Sequence, residues 1–315
     1  MSKYLITGFS GFVGHYIASY IMSAEGGAEI IAVDINPPFE KNYHGKFSFV
    51  KLDLLDKKRV GEVFNKIQPD YIIHLASLSS VRNSWIQPDM SFLKNMEMVL
   101  NIYEALRYSD FKCRILSIGS SEQYGIVGEQ EIPIKETRQL NPISPYAVSK
   151  VAQEHLSQVY VKGFGLDIVL TRSFNHVGPG QPEDFVVSSL GKKILKAKNS
   201  SDNTIVAGDI EIIRDFVDVR DVSRAYYLLL KKGKTGEAYN ICSGIGRSIK
   251  EIITLYCKLY NCEVRVIKDS SLIRPVDNPV ITGSYEKLFQ HTSWQPLIKL
   301  EDSLKESLNY KKIID

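Results

Sequence analysis

The sequence of 315 residues predicts an α/β protein with a doubly wound parallel sheet and a smaller C-terminal lobe. Three observations predict this fold class. Short apolar runs alternate with amphipathic helical segments over the first half of the chain, which is typical of parallel βαβ units. The first apolar run ends in a glycine-rich turn that opens a helix. After about residue 173 the alternation gives way to a loop rich in glycine and proline.

Six buried strands are predicted in the first half, each an apolar run bounded by polar residues or glycine. They cover residues 4–7, 29–34, 47–53, 69–77, 114–120 and 166–173. Helical periodicity separates them at 11–24, 57–67, about 90–108 and from Pro145 onward. In the second half, 186–197 is predicted as a helix, 213–230 as a strand, a loop and a helix, and 237–244 as a buried strand.

These elements suggest two units. Residues 1–172, with returning segments near 213–244, form the predicted dinucleotide-binding domain. Residues 173–212 and 245–315 form the predicted substrate-binding lobe. Ligands are expected at the carboxyl ends of the strands, where right-handed crossovers bring loops together.

Composition excludes several classes of partner. The net charge of +3 is too small to predict binding to nucleic acid or to an anionic membrane. No apolar run approaches the roughly 18 residues that span a bilayer. The four cysteines have no CxxC spacing, and the chain opens directly on a strand with no room for a signal peptide, so a reducing cytoplasm is expected. The histidines and acids lack metal-ligand spacing, and no metal site is predicted.

The turn TGFSGFVGHY indicates a dinucleotide site. Gly8 permits the tight turn, Gly11 lets a pyrophosphate approach the backbone, and Gly14 lets the helix pack closely on the strand. Asp34 ends the second strand 20 residues after Gly14, where a carboxylate accepts hydrogen bonds from ribose hydroxyls. It would repel the 2′-phosphate of NADP(H), so NAD(H) is favoured and NADP(H) remains possible. The alternative is a capping or turn aspartate without a ligand.

Asp53 has two interpretations of similar weight. It ends the third predicted strand, where it can reach the adenine amino group. It is equally typical of a turn aspartate.

The segment SPYAVSK places Tyr146 and Lys150 on one face of a helix. An ammonium at that distance is expected to favour the phenolate and lower the pKa of the tyrosine. Such a tyrosine exchanges a proton with a sugar hydroxyl or ketone. Ser120 ends the neighbouring strand and can hold the same oxygen.

The chain resembles the extended short-chain dehydrogenase/reductase family of sugar-nucleotide epimerases, dehydratases and reductases, which have a Rossmann fold. The resemblance covers nearly the whole sequence. It rests on TGFSGFVG, HLASLSSV, GSSEQYG, SPYAVSK, RSFNHVGPGQ, RDFVDVRD, YNICSG and IRPVD. Within the family, GSSEQYG, FNHVGPGQ with a following FVVSSL, and CSGIG are most similar to the GDP-4-keto-6-deoxy-mannose reductases, which form GDP-rhamnose.

The resemblance implies roles for individual residues. Ser120, Tyr146 and Lys150 would be the catalytic triad, and Arg214 and Arg274 would clamp the substrate diphosphate through bidentate contacts. Further substrate contacts would come from Ser79, Ser80, Asn175, Ser120 and Glu122. The cofactor would also contact Phe12, Val13, Leu54, Leu75, Ala76, Ser77, Asn95, Ile118, Tyr146 and Lys150, in addition to the glycines, Asp34 and Asp53. Ser77 departs from the usual HLAA, and His176 is expected to order its loop.

Because of Glu122, the site residues are compatible with either dehydration or reduction. In GDP-mannose 4,6-dehydratases a glutamate at this position removes the C5 proton, and Ser120 stands where their threonine stands. The segment VGPGQ, however, replaces the dehydratase SPRRG, and the arginines that hold NADP there are missing. Reduction of a 4-keto sugar nucleotide is therefore favoured, with 4,6-dehydration, 4-epimerisation and a non-enzymatic NAD sensor as alternatives.

The partners that follow are a nucleotide sugar, with GDP favoured, and a second copy of the chain. A hexose or a heptose would fit. Family members commonly dimerise through two helices per subunit, and the apolar helices near 92–106 and 146–160 are candidates, although core packing explains the same pattern.

Overall fold

The computed structural model describes residues 1–38, 45–200 and 202–314, with side chains described as far as residue 308. The strands are β1 (Lys3–Thr7), β2 (Glu29–Asp34), β3 (Lys46–Lys51), β4 (Tyr71–His74), β5 (Arg114–Ser120), β6 (Asp167–Ser173), β7 (Asn175–Val177), β8 (Thr204–Ala207), β9 (Ile213–Asp218), β10 (Ala238–Ile241), β11 (Gly246–Ser248), β12 (Arg265–Lys268) and β13 (Val280–Ile281). The helices are α1 (Gly14–Ala24), α2 (Lys57–Ile67), α3 (Val81–Ile86), α4 (Pro88–Arg107), α5 (Pro145–Phe164), α6 (Val186–Lys198), α7 (Val219–Lys232), α8 (Ile249–Tyr260), α9 (Glu286–Thr292) and α10 (Leu300–Ile314).

Seven strands form one parallel sheet in the order β10-β6-β5-β4-β1-β2-β3. The chain moves outward from β1 to β3 on one side and from β4 to β6 and β10 on the other. The direction therefore switches between β1 and β4, and doubly wound sheets bind ligands beyond the carboxyl ends of the strands at such a point. The predicted fold class is confirmed.

Both faces of the sheet are covered by helices. On one face, α1 and α7 pack over a core that includes Ile17, Tyr226 and Leu229. On the other face, α2, α4 and α5 cover a core that includes Phe64 and Ile102. Because both faces are buried near the middle of the sheet, strands such as β1 and β2 contain continuous apolar runs that the sequence reveals, whereas the edge strand β3, predicted as buried, is only half-buried.

A smaller lobe stands beyond the carboxyl ends of the strands. Its four-stranded sheet has the order β11-β9-β13, with β7 also paired to β9, and a second sheet pairs β8 with β12. Helices α6 and α8 enclose an apolar core with β9 and α10, which includes Leu190, Phe216, Ile252 and Leu304. The segment that follows β12 returns toward the large sheet through β13 and α9.

Three expectations differ from the structure. The returning segment near 213–244 is divided, because β9 pairs within the smaller sheet while β10 joins β6 in the large one. No loop separates β9 from α7, since the Asp218 carboxylate accepts a hydrogen bond from Arg220 N at 2.8 Å and caps the helix directly. Strand β3 ends at Lys51, and Asp53 lies in the turn that follows.

Within the part of the chain that the structure describes, none of the helices is both long and apolar enough to cross a membrane.

Candidate active site

The glycine turn after β1 has the close backbone contacts that its sequence predicts. Gly8 has φ +67°, and a Cβ there would lie 2.6 Å from Ala76 N in the loop after β4. A Cβ on Gly14 would lie 2.0 Å from the carbonyl oxygen of Phe9. Side chains at these two positions are therefore incompatible with the turn, which holds the start of α1 against β1 and the end of β4.

The start of α1 has the chemistry of a pyrophosphate site. The backbone N–H groups of Phe12 and Val13 donate to no acceptor among the described residues, whereas the Gly11 N–H donates to Gly8 O at 3.2 Å. Unpaired amides at a helix N-terminus attract anions, because the helix dipole adds to their partial positive charge. The residues present therefore fit a dinucleotide, with Gly11, Phe12 and Val13 toward its phosphates.

Asp34 lies beside this turn at the end of β2. Its carboxylate accepts hydrogen bonds from Ser10 N at 3.0 Å and from Asn36 N at 3.1 Å. These bonds fix the carboxylate beside the glycine turn, at the carboxyl end of β2. Asp53 is exposed, and its carboxylate accepts from Leu55 N at 2.9 Å, so the structure gives it the turn role that the sequence left open.

The loop after β4 is held by Asn95 of α4. Its Oδ1 accepts from Leu78 N at 2.8 Å and from the Ser77 hydroxyl at 3.3 Å, and its Nδ2 donates to the Ser149 hydroxyl of α5 at 3.1 Å. The Asn95 amide is thus engaged by the protein, and it positions Ser77 and Leu78. Ser149 was not predicted, and it ties this loop to the helix that carries Tyr146 and Lys150.

The other predicted residues of this region have mixed surroundings. Leu75 N donates to Thr7 O at 3.2 Å, and Leu54 is 4% exposed below the end of β3. The Ser80 hydroxyl accepts from Asn83 N at 3.2 Å and caps α3, whereas Ser79 is exposed. The capping hydrogen bond thus gives the Ser80 hydroxyl a role that needs no contact with a sugar.

Ser120 ends β5 and begins a short 3-10 turn over Ser121–Tyr124. Its hydroxyl accepts from Glu122 N at 3.2 Å, and its N–H donates to Gln123 Oε1 at 2.8 Å. The reciprocal contacts form a capping box, which fixes the Ser120 backbone at the carboxyl edge of the sheet. Glu122 lies at the same edge as Ser120.

Tyr146 and Lys150 lie on the buried face of α5, which Ser144 caps by accepting from Ala147 N at 3.1 Å. The Tyr146 phenol lies close enough to the Ser120 side chain for Ser120 to lower its pKa. The Lys150 Nζ lies 5.9 Å from the centre of the Tyr146 ring and donates to Ile118 O at 2.9 Å. Three predicted residues from β5 and α5 therefore meet at one place.

The expected pKa of the tyrosine was wrong in direction. Burial raises the pKa of Tyr146, the Ser120 side chain lowers it, and the charge of Glu122 raises it. Burial also lowers the pKa of Lys150 to about 7, which weakens the charge expected to favour the phenolate. The physical reason is desolvation, which sequence spacing does not reveal.

A buried polar network below Lys150 was missed by the sequence analysis. Gln153 Oε1 accepts from Lys150 Nζ at 3.0 Å, and Gln153 Nε2 donates to the Ser117 hydroxyl at 2.8 Å. The Tyr103 hydroxyl donates to Ser117 at 3.0 Å and shares a 2.7 Å hydrogen bond with Ser157. The repeat of polar residues at 146, 149, 150, 153 and 157 on a helix with a buried face was the available signal.

A second network, also missed, supports the turn that follows Ser120. Arg172 of β6 and Glu154 of α5 form a buried ion pair with contacts of 2.6 and 3.0 Å. Gln123 Nε2 donates to the same carboxylate at 2.8 Å, and Arg172 Nη1 donates to the Tyr124 hydroxyl at 3.0 Å. These four side chains lock the turn to the sheet and to α5.

Four charged side chains connect the turn to the smaller lobe. Arg274 Nη1 lies 3.3 Å from Glu122 Oε1 and 3.5 Å from Asp277 Oδ1. Asp277 Oδ1 also accepts from Arg214 Nη2 of β9 at 2.6 Å. Burial lowers the pKa of Arg214, while the charges of Asp277 and Glu122 raise it. Arg214, Arg274 and Glu122 were predicted, and Asp277 was not.

Residues of β7 line the same region. Asn175 is half-buried and pairs in register with Phe216 of β9. His176 Nε2 lies 3.3 Å from the Tyr226 hydroxyl, and its carbonyl oxygen accepts from Gln181 Nε2 at 2.7 Å. Burial lowers the pKa of His176 to about 4, so this ring is a neutral part of the loop at physiological pH.

The fold and the site together define a class of protein. A doubly wound sheet with a glycine turn, an acid at the end of β2 and a Ser-Tyr-Lys constellation beyond β5 is suited to hydride exchange between a nicotinamide dinucleotide and a hydroxyl or ketone. The chain matches the family model described as GDP-mannose 4,6 dehydratase over residues 5–307. It belongs to that family, a branch of the extended short-chain dehydrogenases/reductases.

Individual relatives cover the whole chain. The GDP-6-deoxy-D-mannose reductase of Pseudomonas aeruginosa is 33% identical over 98% of this chain and 96% of the relative. The dTDP-glucose 4,6-dehydratase of Haemophilus influenzae is 27% identical over 98% of each. Among solved structures, RMD from Pseudomonas aeruginosa complexed with NADPH has a TM-score of 0.86 at 31% identity, with all of both chains covered. A UDP-glucose 4-epimerase of Thermus thermophilus in complex with NAD has a TM-score of 0.87 at 28% identity, covering 98% of this chain and 99% of that one.

Proposed function

We propose that the protein reduces the 4-keto group of a nucleotide-activated 4-keto-6-deoxy sugar, in the form of GDP-4-keto-6-deoxy-mannose, to give GDP-rhamnose. The observation that carries this proposal is the meeting of Ser120, Tyr146 and Lys150 at the carboxyl edge of the sheet. The full-length similarity to a GDP-6-deoxy-D-mannose reductase favours reduction among the reactions that such a site supports. The expected substrate-binding lobe beyond the sheet would supply the nucleotide contacts.

The protein's own residues then have distinct tasks. When bound, the dinucleotide supplies the hydride that the C4 carbon accepts. Tyr146 donates its phenolic proton to the O4 oxygen, so the ketone becomes an alcohol and the phenolate recovers a proton from solvent. Ser120 donates a hydrogen bond to the same oxygen and stabilises the charge that develops there. Lys150, anchored on Ile118 O, supplies positive charge near the phenolate while it is protonated.

NAD(H) is the expected cofactor. The Asp34 carboxylate, which accepts a hydrogen bond from Ser10 N, would also accept hydrogen bonds from the ribose hydroxyls and would repel a 2′-phosphate. The structural relatives bind NADPH in one case and NAD in the other, so they leave the choice open. We expect kcat/KM to be higher with NADH, and Asp34→Ala to lower this preference by about tenfold through loss of the ribose hydrogen bonds and of the repulsion. A wild type that prefers NADPH would contradict the assignment.

One assay separates reduction from its alternatives. Purified protein is incubated with GDP-4-keto-6-deoxy-mannose and NADH or NADPH, and the product sugar is identified by NMR. A reductase oxidises one reduced dinucleotide for each GDP-rhamnose formed. Absence of turnover with this substrate, or formation of a keto sugar from GDP-mannose without net change of the dinucleotide, would refute the proposal.

The second candidate is a 4,6-dehydratase. Glu122 favours it, because this acid lies on the turn beside Ser120, and its charge acts on Tyr146. The family description and the dTDP-glucose 4,6-dehydratase relative are consistent with it. The same assay with GDP-mannose as the sole sugar tests this reading.

We further propose that two copies associate through α4 and α5. Six large apolar side chains on these adjacent helices are exposed: Met90, Leu93, Leu100, Val148, Val159 and Phe164, at 38, 61, 41, 42, 57 and 44%. Apolar residues in this number on neighbouring helices favour burial against a partner. Sedimentation should show a dimer for the wild type and a monomer for Leu93→Asp. A monomeric wild type at micromolar concentration would contradict the proposal.

A further inference from the structure

The position of Glu122 identifies a task for it other than proton transfer. Its side chain, 13% exposed, forms an ion pair with Arg274 across 152 residues of sequence, at 3.3 Å. Glu122 belongs to the turn after β5, and Arg274 belongs to the segment between β12 and β13. The contact therefore joins the catalytic edge of the large sheet to the smaller lobe.

The geometry of Arg274 shows which part of its guanidinium is in use. Both carboxylates near it, Glu122 and Asp277, are contacted by Nη1. Within the described part of the chain, neither its Nε nor its Nη2 donates a hydrogen bond, and its side chain is 32% exposed. A guanidinium presents five N–H donors in a planar fork, so one edge can be oriented by carboxylates while the other receives an anion in bidentate fashion.

The neighbouring charges make this arrangement stable. Arg214 lies 5% exposed and contacts Asp277 at 2.6 Å, so two guanidinium groups and two carboxylates alternate in one chain. Without the carboxylates, the two cations would repel each other. With them, the two arginines stay close together, and the Nη atoms of Arg214 donate to Ile213 O, Asn278 O and Asp277, which leaves Arg274 as the more accessible of the two.

We propose that Glu122 is a positioning residue that holds Arg274 by Nη1 and leaves the Nε–Nη2 edge for the diphosphate of the nucleotide sugar. This inference rests on the proposed function for the identity of the ligand. It assigns Glu122 to substrate affinity, whereas a general base or acid would act on the rate of the chemical step. The two roles predict different kinetic constants for the same variant.

The test compares Glu122→Gln with Glu129→Gln, an identical chemical change at an exposed position of the same connection. The first readout is the Kd of the dinucleotide-loaded protein for whichever of GDP, UDP and dTDP the wild type binds, by calorimetry. The second readout is KM and kcat for the keto sugar. We expect Glu122→Gln to raise Kd and KM by about tenfold, with kcat within about threefold of the wild type. The control should change neither constant by more than about twofold.

A double-mutant cycle shows whether Glu122 acts through Arg274. Arg274→Lys keeps the charge but loses the fork, so it should weaken nucleotide binding on its own. In that background the effect of Glu122→Gln on Kd should shrink to about twofold or less, because the group that it positions is gone. Multiplicative effects of the two changes would overturn the proposal.

Other outcomes of these measurements would contradict the positioning role of Glu122 or the proposed reaction. A fall in kcat of about 100-fold or more, with Kd unchanged, would make Glu122 a proton-transfer residue. Unchanged Kd, KM and kcat would show that the ion pair has no role in the site. If the wild type binds a nucleoside diphosphate but does not reduce the keto sugar, the proposed reaction is refuted. The comparison of Kd between the wild type and Glu122→Gln still tests the positioning role of Glu122. If the wild type binds none of the three nucleotides, the diphosphate site itself is refuted.

Discussion

Replacing Lys150 by methionine should stabilise the fold at low pH while removing activity. Lys150 is 3% exposed, and burial is the cause of its lowered pKa. Its ammonium donates to Ile118 O at 2.9 Å and to Gln153 Oε1 at 3.0 Å, and both acceptors are neutral. Methionine has a similar length and carries no charge, so it removes the cost of burying the ammonium.

The size and sign of the effect follow from the pKa. Burial lowers the pKa of Lys150 from 10.5 to about 7. The unfolded chain then binds more protons than the folded chain between these values, so stability rises with pH across that window and the full penalty applies below about pH 7. At about 1.36 kcal/mol for each pH unit, the penalty is about 5 kcal/mol. Losing the donor to Gln153 costs about 1–3 kcal/mol in return.

The expected net gain for Lys150→Met is therefore about 2–4 kcal/mol near pH 6, and it becomes a loss of about 1–3 kcal/mol near pH 10.5. The measurement is urea unfolding of both proteins, without added dinucleotide, at several pH values from about 6 to 10. Lys162→Met, an exposed lysine on the same helix, is the control and should change stability by less than about 0.5 kcal/mol at every pH. A difference between wild type and Lys150→Met that stays constant with pH would refute the reasoning.

Three further changes test other parts of the site. Tyr146→Phe should lower kcat by about 100-fold or more with dinucleotide affinity unchanged, and full activity would exclude Tyr146 as the proton donor. Gly14→Ala places a methyl group 2.0 Å from Phe9 O, so we expect a lower melting temperature and lost dinucleotide binding; wild-type values for both would contradict the packing described. Glu154→Gln leaves the Arg172 charge buried without its partner and should cost about 3–5 kcal/mol in urea unfolding, whereas a loss below about 1 kcal/mol would show that the pair is solvated.

The large sheet could be predicted because the apolar residues of each central strand indicate that the strand is buried. Strands such as β2 and β6 contain uninterrupted apolar stretches, Ile30–Val33 and Ile168–Leu170, since helices cover both faces of the sheet. Strand β9 is also buried, over Arg214–Asp218, but it pairs with β7, β11 and β13 of the smaller sheet. An apolar run indicates that a strand is buried, and it does not indicate which strand it pairs with.

The site residues also fall into two groups, those that local spacing predicts and those whose contacts depend on how the elements pack. The glycine turn, Ser120 and the Tyr146–Lys150 pair depend on local spacing, and the structure brings the last three together as the spacing predicts. The contacts of Gln123 with Glu154 and of Glu154 with Arg172 join residues 31 and 18 positions apart, on different elements. No periodicity links such positions, so their partners follow only from the packing of β5, β6 and α5.

The difference between a reductase and a dehydratase on this fold does not lie in Ser120, Tyr146 and Lys150. Both reactions exchange a hydride at C4 and a proton at O4, and the three residues serve either one. Dehydration additionally needs a group that removes the C5 proton, and Glu122 is placed on the turn where such a group would act. Its carboxylate lies 3.3 Å from the Arg274 guanidinium, which is proposed to bind the substrate diphosphate. Under the proposed role, a carboxylate held in this pair would orient Arg274, whereas one released from the pair would be available to the sugar. If the proposed role of Glu122 holds, its partner Arg274, on the segment between β12 and β13, would distinguish the two reactions while Ser120, Tyr146 and Lys150 stay the same.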